Sequence, residues 1–308
     1  MLQKILVRVD ASSQIGLGHI MRDLVLCKQF PHAEITFATQ NLAGNINHTI
    51  LEAGYKLKIL NSNKKSELLK LIEELKIDLL VIDHYGIDYV YESFIKANSQ
   101  VKILALDDTY EKHNCDTLLN HNISANEKKY KNLLPSECKL QCGSAYTLLR
   151  DEFYTQKKKR EALRKKKTVF IAMGGTDEKN ISKKILEVLK EFKKTKVHLV
   201  TTSSNRHLNS LKRYVKNQKR VTLHIDSSTI ATLMRKSDFA IVTPSVILNE
   251  VYFMELPFIA IKTASNQDDI YRYLKMKRFR TLNKFNKKGL QCHLTQVGKR
   301  IFTHKKSI

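Results

Sequence analysis

Short apolar runs alternate with amphipathic stretches along most of this chain. KILVRVD (4–10) precedes a helical pattern over 19–29, and EITFAT (34–39) precedes another near 44–53. KLKIL (56–60) leads to KSELLKLIEELK (65–76), DLLVIDHY (78–85) leads to a helix near 88–97, and VKILALDD (101–108) follows. The runs at 79–83 and 101–106 are almost wholly apolar, as parallel strands covered on both faces are. Strand–helix alternation of this kind predicts right-handed βαβ units in a doubly wound sheet. Residues 109–150 read as a loop-rich connector.

The alternation then restarts. TVFIAMGG (168–175), VHLVTTS (197–203), VTLHID (221–226), FAIVTPS (239–245) and PFIAIKT (257–263) each lead into a helical pattern. The fold class expected is therefore α/β, with two Rossmann-like domains facing across a cleft. The first domain spans 1–155, a basic linker 156–167, the second domain 168–277, and a basic tail 278–308. Ligands of such folds bind at the carboxyl ends of the strands.

Length and charge refine this picture. A chain of 308 residues has room for two domains of ordinary size. Most of the net charge of +24 sits in two blocks: QKKKREALRKKK (156–167), with one acid, and residues 270–308, with none. Charge runs read as solvated linkers and tails, so neither a specific nucleic acid nor a membrane is an expected partner. Non-specific attraction to polyanions is a side effect of such charge. No apolar run reaches the roughly 18–20 residues of a membrane span, and MLQKILVRVD lacks the pattern of a signal peptide. Five scattered cysteines (Cys27, Cys115, Cys138, Cys142, Cys292) suit reduced thiols in the cytoplasm. A monomer is expected.

Three strand-to-helix turns carry glycine or small polar residues: Gly16-Leu17-Gly18-His19, Gly174-Gly175-Thr176 and Thr243-Pro244-Ser245. At each, free N–H groups and the positive helix end suit a phosphate oxygen. Residues 16–21 lack the third glycine of a dinucleotide fingerprint, and there is no Walker lysine. NAD and ATP are thus not expected, and no cofactor is. Ser245 opens a helix bearing Glu250, from which a carboxylate reaches both hydroxyls of a ribose. Asp83-His84, Asp107-Asp108 and the cysteines show no metal-ligand spacing, so no metal is expected, and no G-x-S-x-G elbow is present.

His19 stands at a helix start after the first strand. A helix N-terminus disfavours imidazolium, which suits a general base acting on water, with Asp10 of the same strand available to orient the ring. Tyr85 ends the strand DLLVIDHY at the same edge. Asn266 in SNQDD (265–269) occupies the corresponding place in the second half.

RVDASSQIGLGHIMRDLVLCKQ, VIDHYGI, LDDTYEKHNCDTLLN, CGSAYTLLRDEFY, MGGTDEKN and SNQDD together resemble the UDP-sugar hydrolases of pseudaminic acid biosynthesis, in order from about residue 4 to 277. The resemblance implies a GT-B fold and hydrolysis of UDP-2,4-diacetamido-2,4,6-trideoxy-β-L-altropyranose to the free sugar and UDP. It implies inversion at the anomeric carbon without metal, in a pathway that serves flagellin glycosylation. It makes His19 the catalytic histidine, with Tyr85 and Asn266 the family's tyrosine and asparagine. By similarity to the wider GT-B group, nucleotide binding falls on Gly174, Gly175, Ser245, Val246 and Glu250, with Gly18 beside the histidine. The basic C-terminus and TPSVILNE depart from the pattern. Pro244 removes one donor, leaving those of Ser245 and Val246. The rival readings are a GT-B glycosyltransferase, a UDP-sugar 2-epimerase and a basic nucleic-acid-binding module.

Overall fold

A computed structural model describes residues 2–12, 14–157 and 167–303. The chain forms two units, 1–149 and 150–308.

The first unit runs β1 (Gln3–Val9), α1 (Gly18–Cys27), β2 (Ala33–Gln40), α2 (Asn47–Glu52), β3 (Lys56–Leu60), α3 (Lys65–Leu75), β4 (Leu79–Asp83), α4 (Tyr89–Asn98), β5 (Lys102–Leu106), β6 (Thr117–Asn120) and β7 (Lys139–Cys142). Every pairing is parallel, in the order β3-β2-β1-β4-β5-β6-β7. The chain leaves β1 towards one edge and later returns to its other side as β4. That reversal opens a crevice at the carboxyl ends of β1 and β4, the usual ligand position in such sheets. β1 is buried from Ile5 to Val9 because one core cluster, with Leu6 and Leu80, covers one face and a second, with Val7 and Val81, covers the other. The connector expected over 109–150 instead supplies β6 and β7. Each has only four residues, too few to show a periodicity in the sequence.

The second unit opens with α5 (Asp151–Lys157) and continues β8 (Thr168–Ala172), α6 (Ile181–Leu189), β9 (Lys196–Thr201), α7 (Leu208–Val215), β10 (Val221–Ile225), α8 (Ile230–Arg235), β11 (Phe239–Val242), α9 (Val246–Phe253), β12 (Phe258–Ile261), α10 (Asp268–Met276), β13 (Arg280–Leu282) and α11 (Lys287–Thr303). Its parallel order is β10-β9-β8-β11-β12-β13, so the crevice lies beyond β8 and β11.

Two boundaries differ from the sequence reading. Residues 151–157 are a helix of the second unit: Phe153 is fully buried, Tyr154 stacks edge-on with Phe253 at 4.9 Å, and Gln156 accepts from Arg235 at 2.8 Å. Of the linker read over 156–167, residues 158–166 lie outside the described residues. The segment read as a basic tail adds an edge strand, β13, and lays α11 over the core. Leu290, Leu294 and Val297 recur at helical spacing and are buried with Ile185, Ile259 and Ile261. The lysines of that helix mask its apolar stripe in the composition.

Replacing Leu290 by alanine is therefore expected to remove about 2–5 kcal/mol from the stability of the second unit, read by urea denaturation. A merely solvated tail would leave the transition unmoved.

Candidate active site

The stretch after β1 spends its first donors on itself. Ser12 Oγ accepts the N–H groups of Gln14 (3.1 Å) and Ile15 (3.0 Å), and Ser12 O accepts that of Gly16 at 2.8 Å. Gly16 has φ +94°, a conformation costly for any residue with a Cβ. The N–H groups of Gly18 and His19, at the start of α1, have no acceptor among the described residues. The turn thus aims two amides and one imidazole outward.

His19 is 7% exposed and makes its main bond across the switch point, to β4. Its Nδ1 lies 2.7 Å from Asp83 Oδ1. Arg22, one turn along α1, donates from Nε to Asp83 Oδ2 at 2.6 Å and from Nη2 to Oδ1. The same Nη2 is 3.1 Å from His19 Nδ1 because both donors share Oδ1. Burial works against the Asp83 charge, but Arg22 and then His19 hold the carboxyl far below its ordinary range. An ionised Asp83 takes the Nδ1 proton as its hydrogen bond and leaves Nε2 as the lone-pair nitrogen. Nε2 has no partner among the described residues.

Asp10, expected to orient the imidazole, does something else. Its Oδ2 accepts from Arg8 Nη2 (2.8 Å) and contacts His84 Nε2 (3.0 Å), while Oδ1 accepts the Gln40 N–H at 2.6 Å. Burial opposes ionisation there, but these bonds hold the carboxyl well below the usual range. Its charge is committed to the fully buried Arg8. Asp83, on the strand paired with β1, is the partner of His19.

Arg22 also reaches the loop after β5, where Nη1 donates to Asp108 Oδ2 at 3.2 Å. The other Asp108 oxygen accepts the Tyr85 hydroxyl at 2.9 Å. Tyr85 is 55% exposed overall, yet its ring edge meets His19 with centroids 5.0 Å apart. Burial of the hydroxyl end and the Asp108 charge push the phenol above its normal range, so it stays protonated. His121 lies 3.4 Å from Arg22 Nη1 through Nε2. Burial and the neighbouring guanidinium push it down to about 3, so it is neutral. Arg22, Asp83, Asp108 and His121 were not singled out as site residues by sequence reasoning. The signal available was the spacing of three between His19 and Arg22, which places both on one helix face.

In the second unit, turns after β8, β11 and β12 lie side by side because those strands are neighbours. Thr243 Oγ1 meets Thr263 Oγ1 at 3.0 Å. A Cβ on Gly174 would come 4.0 Å from Thr243, and one on Gly175 would come 3.2 Å from Thr202 Oγ1. The N–H groups of Gly174 and Gly175 lack acceptors among the described residues. The helix end expected to assist them is already filled, since Asp177 accepts from Ile181 (2.7 Å) and Ser182 (3.0 Å) at the start of α6. At α9 the Ser245 N–H, expected to be free, donates to Thr243 O at 2.9 Å. What remains is the N–H of Val246, that of Ile247, and the Ser245 hydroxyl, which is not used to cap its own helix. Glu250, one turn in, accepts from Arg150 at 3.3 Å. Burial outweighs Arg150 and pushes this carboxyl up to about 7. Asn266 is exposed in a short 3-10 turn, Ser265–Gln267, before α10. Among the described residues no group of three His, Cys, Asp or Glu side chains is arranged to hold a metal ion, and no helix is long and apolar enough to cross a membrane.

The most deeply buried acid, Asp23, yields a prediction. It is fully buried on α1 beside Asp83, a carboxylate to which it can hydrogen-bond only as the protonated acid. Burial and the Asp83 charge raise it well above 3.8, so it folds as the neutral acid. A raised folded-state pKa contributes stability that is full below the unfolded value and is lost as pH rises above it. Replacing Asp23 by Asn removes that dependence. Thermal midpoints measured from pH 4 to 8 should favour the variant increasingly as pH rises.

No family model matches the chain. It is 41% identical over 283 residues to the UDP-2,4-diacetamido-2,4,6-trideoxy-β-L-altropyranose hydrolase of Campylobacter jejuni, covering 92% of this chain and all of that protein. Among solved structures, the spinosyn rhamnosyltransferase SpnG superposes with TM-score 0.68 at 11% identity, covering 98% of this chain and 93% of that one. MurG of Acinetobacter baumannii gives 0.66 at 10%, covering 97% and 91%. At such identities these two carry the fold alone, the paired Rossmann-like domains of the GT-B class. At that identity over nine-tenths of its length, this chain belongs to the family of the Campylobacter UDP-2,4-diacetamido-2,4,6-trideoxy-β-L-altropyranose hydrolase.

Proposed function

We propose that the protein hydrolyses UDP-2,4-diacetamido-2,4,6-trideoxy-β-L-altropyranose to the free sugar and UDP, a step of pseudaminic acid biosynthesis in the cytoplasm. The observation that carries this reading is the His19–Asp83 pair. Its Nδ1 contact at 2.7 Å leaves Nε2 free to take a proton. In the reaction His19 removes a proton from water as the water oxygen bonds to the anomeric carbon. The bond from that carbon to the β-phosphate oxygen breaks on the opposite side, and the sugar is released with inverted configuration. Asp83 steadies the imidazolium that forms, as a carboxylate does behind any histidine base.

The leaving group departs with added negative charge. Val246 and Ile247 offer N–H groups at the start of α9, joined within the second unit by the Ser245 hydroxyl and the amides of Gly174 and Gly175; in the first unit Gly18, beside His19, is assigned to the substrate. Preorganised donors of this kind stabilise a developing charge without reorganising, so the reaction proceeds without metal. Glu250 accepts the ribose hydroxyls, exchanging its contact with Arg150. Asn266, exposed and unspent, binds the sugar. A GT-B glycosyltransferase is the alternative, with which the shared fold is compatible.

Turnover of the UDP-sugar in ¹⁸O-water with EDTA tests this directly. Label is expected in the sugar and not in UDP, activity is expected to survive EDTA, and His19→Asn is expected to lose about 10²–10⁴-fold in kcat. Label in UDP would mean attack at phosphorus and would overturn the mechanism. UDP binding without turnover by the native protein would favour the transferase, and a C-2 isomer as product would favour the epimerase.

Glu250 adds a pH prediction. Ribose hydroxyls donate best to the ionised carboxylate, which with a pKa of about 7 is lost as pH falls below neutrality. UDP affinity should therefore weaken by up to about tenfold per pH unit below 7. In Glu250→Gln that component disappears, while the titration of UDP itself is common to both proteins. Isothermal titration from pH 5.5 to 8 reads the difference.

A further inference from the structure

Tyr85 has one proton to give and lone pairs with which to accept. The proton is already spent, because the hydroxyl donates to Asp108 Oδ1 at 2.9 Å. Asp108 cannot turn away to release it. Its other oxygen accepts Arg22 Nη1 at 3.2 Å, and Arg22 is in turn fixed on Asp83 through Nε at 2.6 Å. A guanidinium only donates and a carboxylate only accepts, so Arg22 and Tyr85 both donate to Asp108 and neither bond can reverse.

We infer that Asp108 is a positioning residue that sets Tyr85 as a hydrogen-bond acceptor for the attacking water. This rests on the hydrolase reading above. An attacking water has two protons and must keep one lone pair aimed at carbon. His19 Nε2 takes the first proton. The second then falls to the Tyr85 oxygen, whose ring stands perpendicular to that of His19 with centroids 5.0 Å apart. A tyrosine free to rotate would donate to the water instead and tie up the lone pair that has to attack. Asp108 prevents this by holding the phenolic proton on the side away from the water.

Asp108→Asn tests the inference because the arginine dictates which way the amide lies. Arg22 takes the amide oxygen, so the NH2 group faces Tyr85, whose oxygen now accepts and whose proton turns outward. The expected result is a loss of about 10²-fold in kcat, with KM for the UDP-sugar and Kd for UDP little changed. Tyr85→Phe should cost a similar factor. The double variant should be no worse than Asp108→Asn alone, and Asp108→Glu, which restores an acceptor, should recover part of the rate. Additive losses, or a loss expressed mainly in KM, would mean a structural role and overturn the inference.

A readout independent of turnover is the ¹³Cζ NMR signal of Tyr85, assigned by its absence in Tyr85→Phe. It should shift in Asp108→Asn as the phenol changes from donor to acceptor. An unmoved signal, or a moved signal with unchanged kcat, would equally overturn the inference. If the native protein fails to turn over the UDP-sugar, the hydrolase reading and the water's role fall together. The NMR signal then decides the polarity of Tyr85 alone.

Discussion

A guanidinium buried against two carboxylates organises the first unit. Arg22 is 5% exposed and Asp83 2%, a burial that would cost several kcal/mol for either charge alone. The cost is offset only while the geometry holds, with Nε and Nη2 on Asp83 and Nη1 on Asp108. Those bonds tie α1 to the end of β4 and to the loop after β5. The start of α1, which bears His19, cannot drift from β4 without leaving a charge unpaired. The same two carboxylates that neutralise Arg22 hold the histidine and the tyrosine. The stability of this unit and the geometry around His19 and Tyr85 therefore share one set of contacts.

The second unit differs in what it leaves unpaired at its sheet's carboxyl edge. Of the helices that follow its two central strands β8 and β11, α6 carries its own anion in Asp177 and α9 carries none. Pro244 and the inward bond of Ser245 remove two donors before α9, yet Val246, Ile247 and a serine hydroxyl are left. An acid one turn deeper, Glu250, is kept near neutrality by burial. The edge thus offers a place for phosphate at α9 beside a place for hydroxyl groups.

Much of this was readable from the sequence because the strands are apolar runs and the helices between them are amphipathic. His19 and Tyr85 were legible because each sits next to the end of such a run. Their partner Asp83 was in view but was read beside His84 as a weak metal candidate. Asp10 was the nearer acid along the chain, and strand pairing brings Asp83 across from β4 instead. β6 and β7 were too short to show a period, α5 has only seven residues and leads straight into the basic run, and α11 was hidden by its lysines. Asp23 and His121 gave no signal, since a buried neutral acid and a buried neutral histidine look like any others in a string of letters. The internal capping by Asp177 was also illegible, because it depends on a backbone turn with φ +40° that only the fold reveals.

The placement of α11 bears on how the protein is made. The core of the second unit begins at β8 and stays open until Leu290, Leu294 and Val297 cover it. At about 5–20 residues per second on the ribosome, that interval is of the order of ten seconds. The first unit has by then emerged with all seven of its strands and is free to fold. The second waits with Ile259 and Ile261 uncovered. A nascent chain stalled or cut short before α11 would present that surface to chaperones and proteases, so quality control would act mainly on the second unit.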